Sequence, residues 1–268
     1  MNPISFITAN FVARQLGYYM TEGWMQGDTA TQNYFRPLET FPERFGAMLG
    51  EIKAMGFEAL DLWGAHLNAA WATPEHVAIA KDLLSQHGLR VLSFATWVGS
   101  VEALEATCKL AQAMEVPLIA GGAPMLKDKR PEAVARLETY GVKLGVENHP
   151  EKSPAEVLDL IGDGAGGLLG AACDTGWWAT QGYSCPQAIR ELGEHLFTVH
   201  LKDVKTAGAH KTCRLGDGVA DIEGCVRALQ GIGYGGDIGI EHEPETFDPT
   251  ADVVESKRRL EAWLGRGA

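Results

Sequence analysis

The chain has 268 residues, 46% of them hydrophobic, which matches the length and core-forming capacity of one (β/α)8 barrel and exceeds what most other single domains need. Its formal net charge of −12, from 35 acidic and 23 basic residues, repels phosphate backbones and anionic membranes, so neither nucleic acid nor a membrane is an expected partner. The cysteines, Cys108, Cys173, Cys185, Cys213 and Cys225, are odd in number and lack CxxC spacing; this argues against a disulfide framework or a zinc-thiolate site and fits reduced thiols in a cytoplasmic protein. No signal peptide is expected from Met1–Phe6, and no apolar run reaches membrane-span length.

Strand-like and helix-like segments alternate from end to end. Ile4 to Ala9 reads as the first strand. Pro42 to Met55 reads as a helix stopped by Gly56, followed by a second strand, Phe57 to Leu62. Thr73-Pro74-Glu75 opens a helix to His87, with Gly88 at its end. A third strand, Leu89 to Ala95, precedes a helix from Val101 to Met114 and a fourth strand from Val116 to Ala120. A helix over Pro131 to Tyr140 stops at Gly141, and the fifth strand ends at Glu147. Ser153-Pro154-Ala155-Glu156 has the form of a capping box. The sixth strand ends at Asp174, Pro186 to Leu192 is helical, and the seventh strand ends at His200. A helix over Asp221 to Gln230, an eighth strand ending at Glu241 and a helix over Thr250 to Leu264 complete the chain.

Eight strands alternating with eight helices imply a parallel sheet. The absence of a G-x-G-x-x-G first turn favours closure into a single TIM barrel over residues 1–268. The segment 10–40 breaks the rhythm. It carries Tyr18, Tyr19, Trp24, Tyr34 and Phe35 and few helix signals, so it is expected to be a long loop over the active-site face.

The chemistry concentrates at strand ends. Glu147, Asp174, His200 and Glu241 each close a different apolar run, and in a parallel barrel such ends open onto the catalytic face. A strand-end carboxylate often only caps the next helix or pairs with a lysine. Four in succession, with oxygen and nitrogen donors, instead suit one divalent cation. They also place two glutamates where they could exchange protons with a substrate. His66, Trp97, Trp177, Trp178, Lys202, His210, Arg214 and Glu243 follow strands and reach the same face. Flat aromatic faces with a few polar and charged groups make a pocket suited to carbohydrate.

The motifs Gly145-Val146-Glu147-Asn148-His149, Cys173-Asp174-Thr175-Gly176, Val199-His200-Leu201-Lys202-Asp203, Leu215-Gly216-Asp217-Gly218 and Gly239-Ile240-Glu241-His242-Glu243-Pro244 resemble, in order and spacing, those of the xylose-isomerase-like TIM barrels. That group includes sugar isomerases, ketose 3-epimerases and inosose dehydratases, with endonuclease IV as a distant relative. The resemblance implies that Glu147, Asp174, His200 and Glu241 bind one metal ion, manganese first, then magnesium or cobalt. It implies that Glu147 and Glu241 are the acid/base pair and that His66 and Arg214 contact substrate; Trp97 and Lys202, from their positions after strands, are expected to shape the same pocket. The chain departs from several epimerases in having Trp177 where they have a histidine three residues after the metal aspartate, and in a longer stretch between His200 and Glu241.

The expected activity is a metal-dependent epimerisation or isomerisation of a keto-sugar or related polyol, by proton abstraction alpha to a carbonyl. A lyase on the same barrel, an inosose dehydratase or a 3-keto-glycoside-cleaving eliminase, shares the same first step. An endonuclease IV-like repair enzyme would need extra histidines where this chain has Trp97 and Trp177. A non-catalytic sugar-binding barrel would have no use for the full ligand set. No phosphate-binding basic cluster stands out, which favours an unphosphorylated substrate, and an even-numbered homo-oligomer would be unsurprising.

Overall fold

In the computed structural model, which describes residues 2–266, eight parallel strands close into a barrel. They are β1 (Ile4–Ile7), β2 (Ala59–Trp63), β3 (Arg90–Ala95), β4 (Leu118–Gly121), β5 (Lys143–Glu147), β6 (Leu169–Asp174), β7 (Leu196–Thr206) and β9 (Ile238–Glu241). Each of β1 to β6 pairs in parallel with the next, and β9 closes the ring in parallel between β7 and β1. Such strands are covered on both faces and so read as near-continuous apolar runs. All five residues of β2 and all six of β6 are buried.

Helices α1 (Trp24–Phe35), α2 (Phe41–Ala54), α3 (Pro74–His87), α4 (Val101–Ala113), α5 (Leu126–Tyr140), α6 (Pro154–Ile161), α7 (Thr175–Gln181), α8 (Cys185–Leu192), α9 (Ile222–Gly231) and α10 (Thr250–Trp263) lie between the strands. α4 buries Leu104, Thr107, Cys108 and Ala111, the 3–4 spacing of a helix laid on a sheet. No helix among the described residues is long and apolar enough to cross a membrane.

Three expectations are corrected. The segment 10–40 is not a loop: it contains two 3-10 turns, Thr8–Phe11 and Arg14–Leu16, and then the twelve-residue helix α1. That helix has glycine at its N-cap with no side-chain cap bond, and its sequence WMQGDTATQNYF is poor in strong helix formers. The seventh strand does not end at His200. β7 runs on to Thr206 and turns back as the antiparallel β8 (Ala209–Cys213), pairing Asp203 with Cys213 and Val204 with Thr212. A short helix, α7, starts directly at the end of β6. Finally, Ser153 makes no side-chain cap bond. The reciprocal capping box is at Thr73, where the partner is His76.

Candidate active site

Glu147, Asp174 and Glu241 end β5, β6 and β9, and His200 lies on β7 in register with Asp174 and Gly239. Three of the four meet closely. His200 Nδ1 is 3.1 Å from Glu147 Oε1 and 3.4 Å from Glu241 Oε2. One donor atom from each of Glu147, His200 and Glu241 lies within 4.8 Å of the others. Asp174 stands beside this cluster with its two oxygens divided. Oδ1 caps α7, accepting from the backbone N–H groups of Gly176 at 2.7 Å and Trp177 at 3.1 Å. Oδ2 faces Lys202 Nζ at 3.1 Å.

Lys202 is the main surprise in the site. Its ammonium lies 2.9 Å from Glu241 Oε1 and donates to Glu243 Oε2 at 3.0 Å, in addition to its contact with Asp174. The residue is 2% exposed, so a buried cation already sits among three carboxylates. Its stem runs over Gly176, where a Cβ would lie 2.6 Å from Lys202 Cγ; only glycine leaves that path open. Burial disfavours the charge on Lys202, but Asp174, Glu241 and Glu243 outweigh it and hold the group as ammonium. For His200, burial likewise opposes the charge, and bonds to Glu147 and Glu241 raise its pKa well above the ordinary imidazole value. Burial would push the Glu147 carboxyl up, but His149 and His200 hold it down at about 2.

Two asparagines fix the strand ends. Asn148 donates to Asp174 O and accepts from Asp174 N, both at 2.9 Å, tying β5 to β6. Asn10 donates to Ile240 O at 3.1 Å and accepts from His242 N, tying the first 3-10 turn to the end of β9. Asp203, next to Lys202, is structural: its carboxylate accepts from the backbone N–H groups of Val204, Gly216, Gly218 and Ala220 and so folds the Gly216-Asp217-Gly218 turn.

A model of the xylose isomerase-like TIM barrel family matches residues 49–263. The chain belongs to that family. L-ribulose-5-phosphate 3-epimerase UlaE of Shigella boydii serotype 18 is 38% identical over 73 residues, 27% of this chain and 25% of that protein. The match thus spans about a quarter of the length of such curated relatives. The structure of L-ribulose 3-epimerase is similar with a TM-score of 0.70 at 17% identity, covering 99% of this chain and 95% of that one. The probable 3-DHS dehydratase AsbF of Bacillus anthracis, involved in petrobactin synthesis, gives 0.67 at 14% identity, covering 97% and 98%. At these identities the structural likeness establishes the fold alone.

Beside the Glu147, His200 and Glu241 cluster of this xylose isomerase-like barrel, aromatic rings form two groups. On one side Trp97, 58% exposed, faces His149 at 6.3 Å, His149 faces Trp177 at 5.3 Å, and Trp177 stacks on His210 at 3.9 Å. On the other, Trp24 packs on Trp63 at 5.0 Å and donates its indole N–H to Glu243 Oε1 at 3.1 Å. The N-terminal end of α1 therefore lies beside the C-terminal ends of β2 and β9. His66 is fully enclosed beside Trp63 and Phe35, with Nδ1 at 3.1 Å from Thr8 Oγ1. Burial drives its pKa down to about 3, so its ring is neutral. Arg214 is turned towards α10: its guanidinium donates twice to Asp252 Oδ1, at 2.7 and 3.1 Å, and lies 3.8 Å from Asp217. Asp252 also meets His242 Nε2 at 3.2 Å.

Asp61, on β2, is the buried group that residue patterns leave unmarked. It sits inside an apolar run and reads as a misplaced acid, yet it accepts hydrogen bonds from Ser5 Oγ at 2.6 Å and Ser93 Oγ at 2.9 Å. The signal available in the sequence is the serine on each flanking strand.

Proposed function

We propose that this chain is a divalent-metal-dependent epimerase or isomerase acting in the cytoplasm on an unphosphorylated keto-sugar or related polyol. The convergence of Glu147, His200 and Glu241 at the mouth of the barrel carries this reading. The residues fit a metal ion. Glu241 Oε2 is buried without a hydrogen-bond partner, 3.4 Å from His200 Nδ1, and a buried carboxylate oxygen left so is costly unless a cation faces it; the Lys202 ammonium at 3.1 Å is the cation that faces Asp174 Oδ2. The set of carboxylates and one imidazole suits manganese, magnesium or cobalt better than a thiolate-seeking metal.

A divalent cation at this position would polarise the substrate carbonyl as a Lewis acid. The chain's own residues then move the proton. Glu147 is ionised at neutral pH and flanks the cluster from β5, while Glu241 flanks it from β9. One glutamate takes the proton from the carbon alpha to the carbonyl, and the electron pair passes into the carbonyl oxygen. The other returns a proton to the opposite face, which inverts the carbon. The aromatic walls cover the sugar C–H surfaces and exclude water.

Two observations support an unphosphorylated substrate, in contrast to the 5-phosphate named for the UlaE relative. Lys202 is engaged by three carboxylates and Arg214 by two, so neither cation is left uncompensated to take a phosphate.

Lys202 also favours a second reading. Its ammonium stands 2.9 Å from Glu241 Oε1 and could protonate a hydroxyl leaving from the carbon next to the carbanion, which converts epimerisation into elimination of water. A panel of ketoses, ketose 5-phosphates and inososes, incubated with the protein and manganese and followed by mass spectrometry and NMR, separates the readings. The proposal expects a mass-neutral epimer or isomer from an unphosphorylated ketose. Loss of water supports the second reading, preference for the phosphorylated ketose overturns the substrate assignment, and no turnover across the panel contradicts both readings.

A further inference from the structure

We infer that Asp61 is a positioning residue for His200, holding the ring so that Nδ1 faces the metal position. The inference rests on reading Glu147, His200 and Glu241 as metal ligands. His200 is 1% exposed, and its two nitrogens face opposite ways. Nδ1 lies within the carboxylate cluster, 3.1 Å from Glu147 and 3.4 Å from Glu241. Nε2 is buried with no hydrogen-bond partner, and the Asp61 carboxylate stands 4.0 Å from it. A contraction of about 1 Å brings that pair to hydrogen-bond length.

Asp61 is placed for this by its neighbours. It is fully buried in the barrel interior, and the hydroxyls of Ser5 on β1 and Ser93 on β3 hold one oxygen each. To meet His200 on β7 the carboxylate must pass β9. There the chain has Gly239, where a Cβ would lie 2.8 Å from Asp61 Oδ2 and 3.0 Å from Ile7. A buried carboxylate with serine donors on both flanking strands, a glycine clearing its path and an unpartnered imidazole nitrogen at the end form one arrangement. A ligating histidine that donates its second N–H to a carboxylate has its tautomer and ring orientation fixed, and loss of such a partner costs about 10- to 100-fold in metal affinity.

The test uses the full chain stripped of metal. Asp61→Asn keeps the size and one acceptor but removes the charge. Gly239→Ala leaves Asp61 chemically intact and pushes it aside, so it decides the matter if Asp61→Asn does not fold. Calorimetric titration with Mn2+ should show about 10- to 100-fold weaker binding in both variants, measured below the cooperative thermal transition of each. In the magnesium-loaded parent, the His200 Nε2–H proton should resonate downfield through its hydrogen bond to the Asp61 carboxylate, and Asp61→Asn should move it upfield. Parent-like Mn2+ affinity in a folded Asp61→Asn protein overturns the inference and leaves the metal site standing. A parent that takes up no Mn2+ overturns the metal reading along with it.

Discussion

Lys202 Nζ stands 2.9 Å from Glu241 Oε1, so the glutamate expected to carry a substrate proton already shares its other side with a buried ammonium. The same ammonium reaches Asp174 at 3.1 Å and Glu243 at 3.0 Å. One lysine therefore compensates three buried carboxylates that would otherwise repel one another.

Lys202→Met should expose that dependence. Removing one partner of a buried ion pair costs roughly 3–5 kcal/mol, because the remaining charge is left uncompensated. The metal-free variant should melt well below the parent. Added Mn2+ should raise its melting temperature more than it raises the parent's, since a divalent ion replaces the lost positive charge. Equal melting temperatures and equal responses to Mn2+ would show that Lys202 is electrostatically idle.

Glu147→Gln and Glu241→Gln should retain the fold and lose turnover by about 10²- to 10⁴-fold, the usual contribution of a positioned acid or base. Rates on a responsive ketose under saturating manganese provide the check. If one variant kept parental rates, the proton would have to travel through another group.

Most of this architecture is legible in the sequence because parallel barrel strands are buried on both faces and so write themselves as apolar runs. Runs ending at Glu147, Asp174 and Glu241 mark three strand ends correctly. β7 also follows its run but continues to Thr206, past His200, because its outer half pairs with β8 and not with the barrel. Helix α1 is hidden because its stability comes from tertiary packing of Gly27, Thr31 and Phe35, not from local propensity. The role of Arg214 is the least legible. Its position after a strand is visible in the sequence, but its turn towards Asp252 depends on where α10 begins. Asp61 is hidden for a different reason: its partners are 56 and 32 residues away on neighbouring strands.

Asp237 should make the fold weaken at high pH. Burial and the nearby Asp61 push its carboxyl from 3.8 up to about 7, while the Thr198 hydroxyl donates to it at 2.8 Å. A folded-state pKa above the unfolded value means that the folded protein keeps a proton the unfolded chain has released. Its contribution to stability is therefore fully present below pH 3.8 and is lost as the pH rises through about 7. Each pH unit crossed between those values removes about 1.4 kcal/mol. Asp237→Asn removes the titration and keeps an acceptor for Thr198. Urea unfolding at pH 4 and pH 8 should show the variant gaining on the parent at pH 8. A constant difference at both values would contradict the assignment.

His66 works in the other direction. Burial lowers its pKa from 6.5 to about 3, and His210, stacked on Trp177, is likewise lowered to about 3 by burial and by Lys202. Below pH 6.5 the unfolded chain binds protons that the folded rings refuse. Their contribution is present above pH 6.5 and is lost as the pH falls towards 3. His66→Gln should flatten part of this acid slope. Urea midpoints at pH 7 and pH 4.5 read it directly, and an unchanged slope would place the acid sensitivity elsewhere.

The central claim is that Glu147 and Glu241 exchange a substrate proton beside a divalent ion held with His200. Its most direct test is solvent deuterium incorporation, followed by NMR on an unphosphorylated ketose incubated in D2O with metal-stripped protein, with and without added Mn2+. The account predicts one deuterium at the carbon alpha to the carbonyl, dependent on Mn2+ and absent in Glu147→Gln and Glu241→Gln. Incorporation that persists without a metal, or in both glutamine variants, would contradict it.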